Sequence, residues 1–96
     1  MPTTVGAAIH HNQELSIDRR KISLDGHERN YTDLFSWISL ATLFDLPATS
    51  APIGKVSHGM PATVQIVGAP YQDRMTIQFA KLLAKQLGGF ERPPGY

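Results

Sequence analysis

The segment from Asp33 to Asp45 limits what this chain can become, because it reads as a helix with almost no polar side. Leu34, Trp37, Ile38, Ala41 and Phe44 fall at i, i+3, i+4, i+7 and i+10 and form one stripe. Phe35, Leu40 and Leu43 lie largely outside that stripe and are apolar too. Thr32 or Asp33 is placed to cap its first turn, and Pro47 ends it by excluding helical backbone at the residue before it. A helix apolar around most of its circumference has to be buried on most sides. A chain of 96 residues covers only about 60 to 70% of its unfolded surface. The expectation is therefore a helix over 33–45 that needs more neighbours than this length supplies.

A second segment makes the same demand. Ala62-Thr-Val-Gln-Ile-Val-Gly68 reads as a strand over 62–68 with Val64 and Ile66 on one face and Thr63, Gln65 and Val67 on the other. Neither face is strongly polar, the pattern of a strand covered on both sides. The strand over 48–56 precedes it, and Ser57-His58-Gly59 supplies turn chemistry, so the two are expected to pair antiparallel. Pro52 confines the earlier strand to an edge, an end or a bulge.

The remaining elements follow from local signals. Residues 1–19 carry no period and are read as irregular and extended, with a polar turn at His10-His11-Asn12-Gln13-Glu14. Over 20–31, Ile22 and Leu24 alternate with polar residues, and Asp25-Gly26 tolerates the positive φ angles of a tight type I′ turn, which predicts a hairpin. Asp73 is a good N-cap for a helix over 74–87 with Met75, Phe79, Leu82, Leu83 and Leu87 on its apolar face, stopped by Gly88-Gly89. The order is ββαββα, an α/β arrangement in a single segment over 1–96.

Composition narrows the function. With no cysteine, neither a disulfide framework nor a cysteine-ligated zinc site is available. Nine Lys and Arg against eight Asp and Glu give no basic footprint for nucleic acid. The longest apolar window, Leu34 to Leu46, falls far short of the ~20 residues that a membrane span requires. The N-terminus lacks a basic region followed by an apolar run, so a cytoplasmic location without membrane association is expected.

No reaction centre emerges from the residues alone. His10 and His11 are adjacent and diverge on either regular backbone, while His27 and His58 sit at turns, so no metal site is expected. None of the six serines lies in a Gly-rich elbow, and no phosphate-cradling glycine loop is present, so no cofactor is expected. Ser57-His58 is contiguous, but adjacency does not aim an imidazole at a hydroxyl. Gln65 is the anomaly, a polar residue inside an apolar strand. Its amide either bonds to neighbouring backbone or faces a cavity.

The ordered motifs carry a resemblance. Trp37-x-x-x-Ala41-x-x-x-x-Leu46-Pro47-Ala48-Thr49-x-x-Pro52-x-Gly54 is followed by Gly59-x-Pro61-x-x-Val64-Gln65-Ile66-Val67-Gly68-x-Pro70 and then by Asp73-Arg74 opening a helix. Together with the Arg20-x-Ile22-x-Leu24-Asp25-Gly26-x-x-Arg29-x-Tyr31-x-Asp33 hairpin and the Gly88-Gly89-Phe90-x-x-Pro93-Pro94-Gly95 end, this series resembles the C-terminal end of the amidase signature family. One departure is Met60, where close relatives usually carry leucine of similar volume.

The resemblance implies a C-terminal segment of a hydrolase acting on carbon–nitrogen bonds of carboxamides. It also implies that the 48–56 and 62–68 strands belong to a large central mixed sheet covered by the two helices. The family's Ser–cis-Ser–Lys triad lies on motifs far N-terminal to those seen here, and nothing in this chain matches them. No catalytic residue is therefore assigned. Trp37 and Gln65 are the residues expected to line part of a substrate pocket. The expected partner is the remainder of an amidase domain, in cis or in trans, and the chain is expected to be inactive alone. The alternative is a non-catalytic module that associates with an amidase chain or with itself through its apolar surface.

Overall fold

Asp25 and Gly26 have φ angles of 52° and 78°, the positive pair that a two-residue hairpin turn demands. They join β1 (Lys21–Leu24) to β2 (His27–Asn30), paired antiparallel from Lys21 opposite Asn30 to Leu24 opposite His27. The computed structural model that contains this hairpin describes residues 1–9 and 13–95, and a 3-10 turn at Ile17–Arg19 precedes the hairpin within the stretch expected to be irregular. His10, His11 and Asn12, most of the expected polar turn, lie outside the described residues. Ile22 is the hairpin's buried side chain, while every residue of β2 is exposed.

The apolar segment over 33–45 differs from expectation. Instead of one helix, the chain makes a 3-10 turn at Tyr31–Phe35 and then α1 over only Ile38–Leu43. Asp33 does not cap, because its Oδ2 accepts from Arg29 Nε at 2.8 Å and is held toward the hairpin. Neither flank of these turns carries a side-chain cap. The hydroxyls of Ser39 and Thr42 bond back to the carbonyls of Phe35 and Ile38, a competition that weakens helical segments. Asp45 then turns left-handed at φ 50° ahead of Pro47, and Leu46 N–H closes onto Ala41 O at 3.0 Å.

β3 (Ala48–Lys55) and β4 (Pro61–Val67) form the second sheet, antiparallel with Ser50 opposite Gln65 and Ala51 opposite Val64. The register slips between Pro52 and Gly54, so the proline sits at a bulge, where its missing N–H costs the ladder least. On the far edge of β4, Met1–Thr3 pairs antiparallel: Gln65 N–H donates to Met1 O at 2.8 Å and Thr3 N–H to Thr63 O at 3.3 Å. α2 (Asp73–Leu87) starts one residue earlier than predicted. Gln72 is its N-cap without a side-chain bond, and Asp73 occupies the first turn, where its charge suits the helix dipole. Gly88, at φ 96°, ends it with N–H to Ala84 O at 2.9 Å.

The helices take opposite faces of the β3–β4 sheet. On one, the Thr49 and Thr76 hydroxyls meet at 2.8 Å, locking α2 over β3. On the other, Gln65 reaches the backbone that leads into α1. The composition of β4 called for cover on both faces, and α2, which lies chiefly over β3, gives β4 little of it.

The cover is thin. Ile22, Ala41 and Ala51 are the buried apolar residues among those described, and no large side chain is fully buried. The accessible surface is 7677 Å², whereas a folded monomer of this mass exposes about 5,500 Å². The radius of gyration is 15.1 Å, against about 12.5 Å for a compact domain of this length. Leu43, Phe44, Met75 and Phe79 are all more than half exposed. Among the described residues, no helix is long and apolar enough to cross a membrane.

Gly68 is a point of close approach between the sheet and α2. A Cβ there would stand 2.7 Å from Thr76 Cγ2, a side chain 2% exposed and tied to Thr49. Gly68→Ala is expected to cost about 1–3 kcal/mol in urea unfolding. An unchanged midpoint would show that α2 does not seat on β3 as described.

Candidate functional site

An open cleft of about 780 Å³ lies between α1, the inner face of the β3–β4 sheet and the turn that precedes α2. Its apolar wall includes Ile38, Ala41 and Leu46, and its polar floor is Thr3, Ser50 and Gln65. The floor follows from register. Ser50 and Gln65 are direct cross-strand partners and so share a face. Thr3 joins them through its hydroxyl, 3.2 Å from that of Ser50.

Gln65 is 5% exposed, and its amide nitrogen donates to Trp37 O at 2.8 Å and to Pro2 O at 3.3 Å. The sequence left two readings of this residue open. The structure gives it backbone partners and also sets it at the border of the cleft. Trp37, named with it, is joined to it by that carbonyl. Its side chain is 41% exposed and borders a different cavity of about 580 Å³, with Leu24, His27 and Arg29. The two residues are therefore linked by a hydrogen bond and border separate spaces.

Three cleft residues were not singled out from sequence. Thr3 and Ser50 enter through strand pairing, which no local pattern displays. Tyr71 stands at the rim with φ 63° and a 99% exposed side chain. Left-handed backbone is uncommon for a non-glycine residue and costs free energy at an aromatic one. The turn is fixed by Gln72 N–H to Ala69 O at 3.1 Å and by Gly68 N–H to Pro47 O at 2.9 Å.

Hydrogen-bonding side chains and an apolar wall line the cleft. Its ionisable residues are Asp45, Tyr71 and Asp73, and among the described residues neither a lysine nor a histidine borders it beside Ser50. Ser57 and His58 lie in the exposed turn between β3 and β4, away from it. Among the described residues, no group of three His, Asp or Glu is placed to hold a metal ion. Gln65→Leu is expected to leave Trp37 O without its donor and to lower unfolding free energy by about 1–3 kcal/mol. Far-UV circular dichroism in urea reads the effect, and wild-type stability would remove Gln65 as the tie between the layers.

Comparison with known proteins gives the chain's family. The Amidase family model matches residues 1–77. Fatty-acid amide hydrolase 2-A of Danio rerio is 37% identical over 59 residues, covering 62% of this chain and 11% of that protein. Human fatty-acid amide hydrolase 2 is 32% identical over 59 residues, with the same coverage of both chains. The fatty acid amide hydrolase of Medicago truncatula is 31% identical over 61 residues, covering 64% of this chain and 10% of that protein. The match thus spans only about a ninth of the length of these curated relatives.

Proposed function

Because this chain belongs to the Amidase family, we propose that it forms the C-terminal part of an amidase-like hydrolase of carboxamide bonds. In that role it supplies sheet, helices and one wall of the substrate pocket, while the nucleophile and its base come from polypeptide outside these residues. The observation that carries the reading is the pairing of a family match over 1–77 with coverage of only 11% of the first relative. Two physical facts support it: a surface far larger than a finished domain of this mass exposes, and a cleft with hydrogen-bonding groups but no nucleophile–base pair among the described residues.

In the assembled site the Thr3–Ser50–Gln65 floor faces the substrate side. Gln65 acts by holding the Trp37 backbone, which fixes the entry to α1 and with it the apolar wall. The relatives named for fatty-acid amides make an acyl chain along Ile38, Ala41 and Leu46 the favoured occupant. A cytoplasmic location suits such a chain and belongs to the same proposal.

The test has two arms. The purified 96-residue chain is expected to hydrolyse neither a small carboxamide nor a fatty-acid amide above the buffer rate. A chimera of the Danio rerio enzyme, with its matched stretch replaced by the corresponding residues of this chain, is expected to retain fatty-acid amide hydrolysis. Turnover by the isolated chain that disappears in Ser57→Ala would overturn the reading. So would a folded, soluble chimera with no activity.

A further inference from the structure

The side-chain amide of Gln65 is partnered on one side only. Its nitrogen carries two N–H groups, and both are occupied by backbone carbonyls, Trp37 O at 2.8 Å and Pro2 O at 3.3 Å. Because both partners are acceptors, the amide has one allowed orientation: turned over, its oxygen would face two carbonyl oxygens. Oε1 therefore points away from them, and among the described residues nothing donates to it. Gln65 is 5% exposed, yet every side-chain nitrogen or oxygen closed off from solvent among the described residues has a partner. Oε1 thus keeps an open edge. That edge lies on the cleft, since the side chain shares the sheet face of Ser50 and borders the cleft with it, while Val64 and Ile66 take the opposite face beneath α2.

The surroundings of this acceptor decide what it takes. The Thr3 and Ser50 hydroxyls are 3.2 Å apart, so one donates to the other and the second O–H is left over. Direct cross-strand side chains stand about 5 Å apart at Cβ, so one small group reaches both Oε1 and that hydroxyl. The floor offers one acceptor and one donor. The charged side chains bordering the cleft are Asp45 and Asp73, and among its described lining residues no cation is present. An anion meets like charge there and a further acceptor at Oε1. The complement is a neutral group with an N–H beside a C=O.

We propose that this floor is a subsite for a primary or secondary carboxamide, with Gln65 Oε1 accepting its N–H and the free hydroxyl of the Thr3–Ser50 pair donating to its carbonyl. The aliphatic part lies along Ile38 and Leu46. The subsite separates an amide from the acid that hydrolysis yields. A carboxylate brings no N–H to Oε1, and Asp45 and Asp73 repel it. An amide with no N–H buries Oε1 without a donor and is rejected for that reason. Gln65 is then a specificity residue as well as a tie between the layers. Its part in catalysis rests on the amidase reading, whereas the binding chemistry stands on the cleft alone.

Nuclear magnetic resonance of the isotope-labelled 96-residue chain tests this with hexanamide, N-methylhexanamide, N,N-dimethylhexanamide and hexanoate. The first two are expected to shift the Gln65 side-chain signals saturably at millimolar concentrations, with Kd values within about 3-fold of each other. The dimethyl amide is expected to bind at least about tenfold more weakly despite its extra apolar surface. Hexanoate is expected to give no saturable shift at neutral pH. Ser50→Tyr, which fills the floor from an exposed strand position, is expected to abolish hexanamide binding, with circular dichroism verifying the fold. Hexanamide binding that persists in folded Ser50→Tyr overturns the proposal. So does the absence of a saturable shift with hexanamide, or an affinity for the dimethyl amide or hexanoate equal to that for hexanamide. An inactive chimera would leave these shifts in place, and a failed probe series would leave the chimera's turnover in place.

Discussion

The hydrogen bond from the Gln65 amide to the carbonyl of Trp37 holds the two halves of this molecule together. Residues 20–46 and the β3–β4 sheet share few large buried side chains, so their relative placement rests on polar contacts of defined direction. Beyond the β3–β4 ladder, Gln65 ties in the N-terminal residues through its N–H to Met1 O, its C=O accepting from the Met1 amine and its amide to Pro2 O, and its amide to Trp37 O makes the bond to residues 20–46. Among the described residues no buried side-chain nitrogen or oxygen lacks a partner. A buried amide is costly when orphaned and specific when satisfied. The position of α1, and through it the cleft wall, follows from this arrangement.

The opposite side of the sheet uses a second polar contact in the same way, the Thr49–Thr76 hydroxyl pair beneath α2. Close approach at Gly68 completes that layer, and the rest of α2 lies against little. The apolar side chains that ordinarily dominate a core stand outside it here, from Leu43 and Phe44 on α1 to Met75 and Phe79 on α2. Their exposure is the physical counterpart of a match that covers a small part of the relatives' length. Under the proposed function, the rest of an amidase domain removes these surfaces from water.

What was legible in the sequence was local or ordered. Asp25-Gly26 fixed the hairpin turn, Gly88 the end of α2, and Pro52 the bulge, each through a backbone preference that context cannot override cheaply. The family was legible because several spaced motifs recur in sequence order. The long helix at 33–45 was misjudged because apolar periodicity counts only the favourable side. It omits that Arg29 claims the Asp33 carboxylate and that Ser39 and Thr42 bond back to the chain. Gln65 stood out as a polar residue in an apolar strand, and its burial followed. Thr3 and Ser50 stayed hidden because strand pairing across more than forty residues brings them together, and Tyr71 because a positive φ leaves no mark on its identity.

The central claim is that these residues bury far less apolar surface than a finished domain of equal length. The heat capacity change of unfolding reads that burial directly. Calorimetry of the 96-residue chain over a range of pH is expected to give a value well below about 12–15 cal/mol/K per residue. A value at or above that range would mean that the chain closes a complete core by itself, and would contradict the account.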